Sequence, residues 1–267
     1  MRLPPNKACA GAKCNYNVYL MGEPAVSVIT VAYDSYFFVR LLVERVRELV
    51  GPREYEIVVV DRGSRDGTRS WLHKQPDVRV VTRRQWRLRH DHGEAAEAGV
   101  RSARYERIVL LDSDAHPVES SWLRNSVDRL DDHNRISGAI FRSRHRGNPL
   151  GWYVHPHFMT FFQGDLGRLI VLRKMRGDDT DTGEEATLLT IAAGHGIIGH
   201  EIEPCERFAV GHPSFPSVAG GVFHAWYVTR LARDEAAVAA ETNGLVTRAR
   251  YLEPLLAHLR HHYRLEY

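Results

Sequence analysis

Apolar residues in the first half of the chain occur in short unbroken blocks, and stretches with helical spacing separate these blocks. Such blocks, rich in β-branched residues, are typical of parallel strands buried on both faces. They predict strands at residues 26–33, 56–61, 77–81 and 107–112. Helices are predicted between them, at residues 38–49, at a short start over 69–74, and at 93–103. This alternation of strands and helices indicates βαβ units around a parallel sheet.

The second half of the chain has a weaker pattern. Residues 122–130 and 184–193 predict helices, and residues 136–141 predict a strand. Residues 234–263 are rich in Arg and His and predict a mostly helical C-terminal extension, assigned to residues 234–267. The apolar residues within residues 1–24 show neither helical nor strand periodicity, and this segment is interpreted as a tail or an added edge element. The domain between them spans residues 25–233.

Composition narrows the class of protein. With 43% hydrophobic and 26% charged residues, the chain has the balance of a globular protein. Its net charge of +3 comes from scattered Arg residues, which argues against nucleic acid as a partner. Cys9, Cys14 and Cys205 are too few for a disulfide framework, so we predict a cytoplasmic location. The most apolar later stretch, residues 157–172, is interrupted by polar residues and predicts no transmembrane segment.

Acidic residues follow two of the predicted strands. Asp61 ends the second strand, and Asp112 and Asp114 end the fourth. Right-handed crossovers would place these acids and Tyr33 at one edge of the sheet, where open α/β sheets bind ligands. Carboxylate oxygens suit Mg²⁺ and Mn²⁺, so a cation and a phosphate group are predicted there. Asp61 either accepts hydrogen bonds from a nucleobase or ribose, or caps the turn that contains Gly63.

Three spaced motifs carry a resemblance to a known family. The segments VSVITVAY (26–33), VVVDRGSRDGT (58–68) and IVLLDSD (108–114) resemble those of family 2 glycosyltransferases with the GT-A fold. The resemblance implies an α/β fold with a mostly parallel central sheet flanked by helices. It also implies transfer of a sugar from a nucleotide-diphosphate donor to an acceptor hydroxyl with inversion. The donor half would span residues 25–123 and the acceptor half residues 124–233.

The same resemblance implies roles for residues of the first two motifs. Thr30, Ala32 and Tyr33 would lie beside the nucleobase of the donor. Asp61 would form a hydrogen bond with the nucleobase, and Gly63 would also belong to the donor site. These are expectations for donor-binding residues.

The third motif implies a metal site. Asp112 would face the ribose or a divalent metal, Mn²⁺ or Mg²⁺, with Ser113 beside the donor and Asp114 as a direct ligand. Several GT-A enzymes supply a late histidine to the metal, and His224 follows a Gly-Gly pair in a similar segment. The alternative for a lone histidine is a structural role. Trp226 and Arg230, close by in sequence, are candidates for contact with acceptor or diphosphate.

The resemblance also implies a catalytic base at the start of a helix after the third motif. The acidic run at residues 178–185 offers Glu184 as first choice and Asp181 as second. A carboxylate near buried apolar groups has a raised pKa, which suits it to take a proton from an acceptor hydroxyl. Asp and Glu in a first helical turn also stabilise the helix, so at least two acids of this run are expected to be structural.

The histidines elsewhere carry less information. Near residue 90 the chain departs from the family pattern, and Arg89, His90 or His92 is either close to the diphosphate or part of a solvated helix start. Five further histidines without informative spacing are predicted to be structural, namely His155, His157, His195, His200 and His212.

Alternatives remain open at this level. One is a nucleotide-sugar or carbohydrate binding module without turnover, and another is a nucleotidyltransferase, although no Gly-rich loop follows the first strand. A dehydrogenase is disfavoured because G-x-G-x-x-G is missing there. The acceptor site is expected to involve residues 145–172 and the C-terminal tail, and the acceptor is a glycan, a lipid-linked compound or a small metabolite. The basic tail permits peripheral contact with a membrane.

Overall fold

The protein is described by a computed structural model over residues 23–82, 92–172, 181–208, 210 and 214–264. The helices are α1 Tyr36–Leu49, α2 Thr68–Leu72, α3 His92–Arg101, α4 Trp122–Asn125, α5 Glu184–Ala192, α6 Val228–Arg233, α7 Glu235–Glu241 and α8 Glu253–Tyr263. The strands are β1 Val26–Ala32, β2 Tyr55–Asp61, β3 Val78–Thr82, β4 Arg107–Asp112, β5 Ala115–Pro117, β6 Asn134–Arg142, β7 Trp152–Phe162, β8 Gly196–His200, β9 Glu203–Pro204, β10 Ser217–Ala219 and β11 Val222–His224.

The central sheet of the described residues has seven strands in the order β3-β2-β1-β4-β7-β6-β8. The pairs among β1 to β4 are parallel, as is the β6–β8 pair. Strand β7 is antiparallel to both its neighbours, β4 and β6, and so runs against the other six. The mostly parallel sheet expected from the alternating pattern is therefore confirmed.

A second, smaller sheet of four antiparallel strands has the order β5-β11-β10-β9. Strand β5 begins three residues after β4 ends, so this sheet starts where the third sequence motif finishes. It connects that motif to residues more than a hundred positions later in the chain. The sequence analysis did not predict this sheet, because its strands are only two or three residues long.

Apolar side chains pack on both faces of the central sheet. One cluster lies under α1 and includes Val28, Val59 and Leu42, and the other lies under α3 and α5 and includes Ile29 and Ile108. Burial on both faces explains why the parallel strands are apolar without alternation. A third cluster joins the C-terminal helices to the small sheet and α1, through Phe223, Tyr251, Leu255, Leu259 and Phe38. The C-terminal extension is helical, as predicted, and packs on this cluster.

One predicted helix differs from the observed structure, and one long strand has no predicted counterpart. The helix expected over residues 122–130 is divided, because α4 ends at Asn125 and a 3₁₀ turn follows at Val127–Arg129. Strand β7 was not predicted, because Pro156 lies inside it and proline removes a donor from a strand ladder. Proline is tolerated here because the pairing of β6 with β7 jumps from Met159 to Val154, at an irregularity in the ladder. In the described part of the chain, no helix is both long enough and apolar enough to span a membrane.

Candidate active site

The ends of three parallel strands lie side by side. Ala32 of β1 is paired with Asp61 of β2, and Val31 of β1 is paired with Asp112 of β4. The side chains of Tyr33, Asp61 and Asp112 therefore share one edge of the sheet, as the crossover argument predicts.

Polar contacts hold the turn after β2 against the turn after β1. Asp61 Oδ1 accepts a hydrogen bond from Ser64 N at 3.0 Å, and Ser64 Oγ accepts one from Asp34 N at 3.0 Å. Gly63 has φ of 93°, which a glycine adopts without strain. Asp61 Oδ2 is buried and accepts no hydrogen bond from any residue that the structure describes. Asp61 thus caps the turn with Oδ1, and its Oδ2 is able to accept a hydrogen bond from a further donor.

The strand pattern adds a residue to the expectation for β1. Thr30 and Ala32 are fully buried, and Ala32 belongs to the apolar cluster under α1. Because successive side chains of a strand point to opposite faces, Val31 faces the other side and lines a cavity together with Tyr33. The placement of Thr30, Ala32 and Tyr33 beside a donor base stays a prediction, and Val31 joins Tyr33 as a residue that lines the cavity.

The small sheet brings His224 to the third motif. In the β5–β11 pair, His224 is opposite Ala115, and Ala225 N donates to Asp114 O at 3.0 Å. His224 Nε2 lies 3.2 Å from Asp114 Oδ1 and 3.7 Å from Asp112 Oδ2. One ligand atom from each of the three residues lies within 4.8 Å of the others. Two carboxylates and an imidazole at this spacing fit a divalent cation.

The charge of Asp112 is stabilised by histidines. Burial alone would raise the pKa of Asp112, but the hydrogen bond and charge of His92, followed by the charge of His224, hold it well below its usual range. His92, the first residue of α3, places Nε2 3.3 Å from Asp112 Oδ1. Asp112 is therefore ionised at neutral pH, as a metal ligand or phosphate-site residue must be.

Two histidines predicted to be only structural pack against this group. The ring of His157 stacks on His224, with centroids 4.4 Å apart, and its Nδ1 lies 2.9 Å from His155 Nδ1. Burial lowers the pKa of His155 to about 4 and that of His157 well below its usual value, so both rings are neutral at pH 7. Residues 155 and 157 alternate along β7, so their side chains lie on the same face of the strand. This spacing could have linked both histidines to the site, but only if the strand itself had been predicted.

The two candidate bases lie in different environments. Glu184 is 1% exposed, and its carboxylate accepts hydrogen bonds from Asn148 Nδ2 (3.1 Å), Asp181 N (2.9 Å) and Ser143 Oγ. The side chain of Asp181 is 46% exposed, and its Oδ2 accepts from the Tyr153 hydroxyl at 2.9 Å. Burial and the charge of Asp181 raise the pKa of Tyr153, which keeps the hydroxyl protonated as a donor. Asp181, rather than Glu184, is the more accessible of the two carboxylates.

One cavity of about 630 Å³ connects these groups. Its wall contains the three candidate metal ligands and both candidate bases, together with side chains that the sequence did not single out. The lining includes Val31, Tyr33, Arg62, His92, Asp112, Ser113, Asp114, Phe141, Arg142, Arg144, Tyr153, His155, Asp181, Glu184, His224, Trp226, Arg230 and Glu241.

Trp226 covers the histidines from the side of the C-terminal extension. Its ring lies 4.2 Å from that of His224 and 5.2 Å from that of Phe141, and its Nε1 donates to Ser217 Oγ at 2.7 Å. Trp226 and Tyr227 both have positive φ, near 59° and 58°. This backbone conformation costs free energy in residues other than glycine and is frequent at functional sites.

Some predicted residues cannot be placed. Arg89 and His90, the acids Asp178 and Asp179, His212, and the cysteines Cys9 and Cys14 lie outside the described residues.

Comparisons with known proteins agree with this fold. The model of a family described as glycosyl transferase family 2 matches residues 27–190. Among solved structures, the mannosyltransferase PcManGT from Pyrobaculum calidifontis, in complex with GDP-Man and Mn²⁺, is 24% identical with a TM-score of 0.51. That match covers 67% of this chain and 55% of PcManGT, so the chain spans just over half the length of that protein.

A second solved structure is similar at a lower level. Glucosyl-3-phosphoglycerate synthase from Mycobacterium tuberculosis, in complex with Mn²⁺, UDP and glucosyl-3-phosphoglycerate, is 18% identical with a TM-score of 0.49. The match covers 67% of this chain and 70% of that one. The search of curated proteins found no match. The family model covers more than half of this chain and the central sheet has the predicted GT-A architecture, so the protein belongs to glycosyl transferase family 2.

Proposed function

We propose that this protein is a metal-dependent glycosyltransferase that moves a sugar from a nucleotide-diphosphate donor to an acceptor hydroxyl with inversion. The observation that carries the proposal is the convergence of Asp112, Asp114 and His224 on the wall of a cavity that also contains Asp181. Such a cavity combines a cation site with an accessible carboxylate, which are the two groups that this reaction needs.

The donor side of the cavity is formed by the ends of β1, β2 and β4. Tyr33 and the unpaired oxygen of Asp61 would hold the nucleoside, and Arg62 and His92 would lie along the diphosphate. Asp112, Asp114 and His224 would hold Mn²⁺ or Mg²⁺, which when bound neutralises charge on the departing diphosphate. PcManGT, described with GDP-Man and Mn²⁺, has the same fold and supports this choice of ligand class.

Asp181 is the proposed base. Its carboxylate would take the proton of the acceptor hydroxyl as that oxygen bonds to the anomeric carbon. The bond between the anomeric carbon and the diphosphate oxygen breaks, and the nucleoside diphosphate leaves with the electron pair. A single displacement inverts the anomeric centre. Tyr153, which donates to Asp181, and Glu184, which accepts from Asp181 N, would position the base.

A donor panel tests the proposal. Uridine and guanosine diphosphate sugars are incubated with the protein in Mn²⁺ or in EDTA, and release of the nucleoside diphosphate is measured. We expect release from one donor class in Mn²⁺ only, and a fall of about 10²- to 10⁴-fold in Asp181→Asn. Asp132→Asn, at a fully exposed position, is the matched control.

Two results would contradict the proposal. Donors that bind but stay intact after long incubation would favour a binding module without turnover. Equal release in Mn²⁺ and EDTA would remove the metal from the reaction. Once a product is found, its anomeric configuration by NMR tests inversion.

A further inference from the structure

Three arginines line the cavity that contains Asp181. Arg142 ends β6, Arg144 follows in the next loop, and Arg230 belongs to α6, yet all three line the same cavity. Exposed arginines are usually solvated and do not by themselves indicate a ligand site. Convergence from two distant parts of the chain on one cavity wall is a different arrangement, because it concentrates positive charge where a substrate must lie.

A carboxylate already lies between two of these arginines. Glu241, the last residue of α7, is paired with Arg230, and its Oε1 lies 3.8 Å from Arg144 Nη1. The hydrogen bond from Arg230 holds the pKa of Glu241 below its usual value, so the carboxylate is ionised. The rim of the cavity thus binds one carboxylate of its own chain through guanidinium groups.

The arginines are not saturated by that carboxylate. The Arg144 side chain is 80% exposed and its contact with Glu241 is at the outer limit of an ion pair. The guanidinium of Arg142 makes no ion pair or hydrogen bond with another described side chain. Two guanidinium groups at the rim therefore remain able to bind an anion, which the planar fork of arginine does with phosphate and carboxylate alike.

Arg144 lies on the acceptor side rather than the donor side. Its positive charge acts on the Tyr153 hydroxyl, where it opposes the effect of burial on the pKa, and Tyr153 donates to Asp181. The donor side has its own arginine, Arg62, after β2. An anion held by Arg142 and Arg144 would therefore lie near the carboxylate that faces the acceptor hydroxyl.

We infer that the acceptor of this enzyme carries an anionic group, a phosphate or a carboxylate, which Arg142 and Arg144 bind while a hydroxyl of the same molecule faces Asp181. This inference rests on the proposed function, because it assigns the Asp181 side of the cavity to the acceptor. It narrows the acceptor from any glycan, lipid or metabolite to an anionic hydroxyl compound.

Ligand-observed NMR tests the inference without turnover. Glycerol 3-phosphate, glycerate and glycerol share hydroxyl groups and differ in charge, and their binding is compared in EDTA, so that no metal bridges the anion. We expect the two anions to bind at least about tenfold more tightly than glycerol. The tighter binder of the two anions, glycerol 3-phosphate or glycerate, shows whether the site prefers a phosphate or a carboxylate.

Arginine variants test where the anion binds. The double variant Arg142→Ala/Arg144→Ala should weaken anion binding by about tenfold or more and leave glycerol unchanged. Arg146→Ala, an exposed position in the same loop that does not line the cavity, should bind as the wild type does. Equal melting temperatures check that all variants fold.

The outcomes separate this inference from the proposed function. Anion binding that is no tighter than glycerol binding, or that the double variant retains, would overturn the inference even if donor turnover is observed. Arginine-dependent anion binding without turnover of any donor would support an anion site and contradict glycosyl transfer.

Discussion

Asp181 and Glu184 are three residues apart and have opposite environments. Glu184 is buried among three donors, whereas Asp181 is half exposed at the cavity. The three hydrogen bonds hold the buried Glu184 carboxylate in place, whereas the Asp181 carboxylate is accessible from the cavity. The pattern of acids in the sequence could not separate these two residues, since two of the three donors to Glu184, Ser143 and Asn148, come from the loop before β7.

Glu184→Gln should destabilise the protein more than Asp181→Asn does. The amide of glutamine would place its own N–H groups against donors, so we expect a loss of about 1–3 kcal/mol in the free energy of unfolding. Asp181→Asn keeps an acceptor for the Tyr153 hydroxyl and should cost less than about 1 kcal/mol. Urea unfolding of both variants measures the difference. Equal losses would mean that Glu184 is not the structural member of the pair.

At the scale of elements, helix α3 approaches the sheet at Gly99. A Cβ built on Gly99 would lie 2.5 Å from Ile29 Cγ2 and 3.0 Å from Val60 Cγ2. Both neighbours are β-branched and fully packed, so neither has a flexible end that can move aside. The close contact keeps α3, and with it His92 at its first turn, near the ends of the strands.

Gly99→Ala therefore tests whether packing outweighs helix propensity. Alanine is favoured over glycine in a helix by about 1 kcal/mol, but overpacking costs about 1–3 kcal/mol. We expect a net loss of stability by thermal unfolding. Gly164→Ala, where a Cβ would meet nothing within 4 Å, should change stability by less than about 0.5 kcal/mol. A stabilised Gly99→Ala protein would show that the contact is loose.

The sequence predicts the parallel half of the fold well and the antiparallel half poorly. Strands β1, β2 and β4 are apolar blocks that end in recognisable motifs, so their parallel direction and shared edge could be inferred. Strand β7 contains a proline and ten consecutive buried positions without alternation, and β11 has only three residues. The pairing of β11 with β5 joins residues 105 to 109 positions apart, and it places His224 beside Asp114.

At the scale of the whole molecule, the cavity is assembled from three parts of the chain. The parallel strands supply Asp112 and Asp114, the antiparallel half supplies Asp181, and the C-terminal helices supply Glu241. The Tyr251 hydroxyl donates to Ala225 O, next to His224, so the C-terminal extension also holds the candidate metal ligand. Residues from distant segments, such as Arg142 and Arg144, could not be assigned to the site before the fold was known.

Acid should destabilise the whole molecule through buried histidines. Burial lowers the pKa of His200, which contacts Ser137 Oγ at 3.1 Å. The unfolded chain, with a histidine pKa near 6.5, then binds the proton more readily than the folded one. The contribution of neutral His200 to stability is complete above that pH and is lost as pH falls below it.

His200→Asn removes this titration and leaves the other histidines in place. Between pH 7.5 and 5.5, the free energy of unfolding should fall by up to about 1 kcal/mol more in the wild type than in the variant. Urea unfolding at both values of pH measures the two differences. An equal fall in the two proteins would mean that His200 titrates alike in both states.

The central claim is that Asp114, with Asp112 and His224, holds a cation that binds a nucleoside diphosphate in the cavity. Titration calorimetry of UDP and GDP, in Mn²⁺ and in EDTA, tests it most directly with the wild type, Asp114→Ala and the control Asp132→Asn. We predict Mn²⁺-dependent binding of one nucleotide to the wild type and the control, and at least about tenfold weaker binding to Asp114→Ala. Nucleotide binding that is the same without Mn²⁺, or the same in Asp114→Ala, would contradict the account.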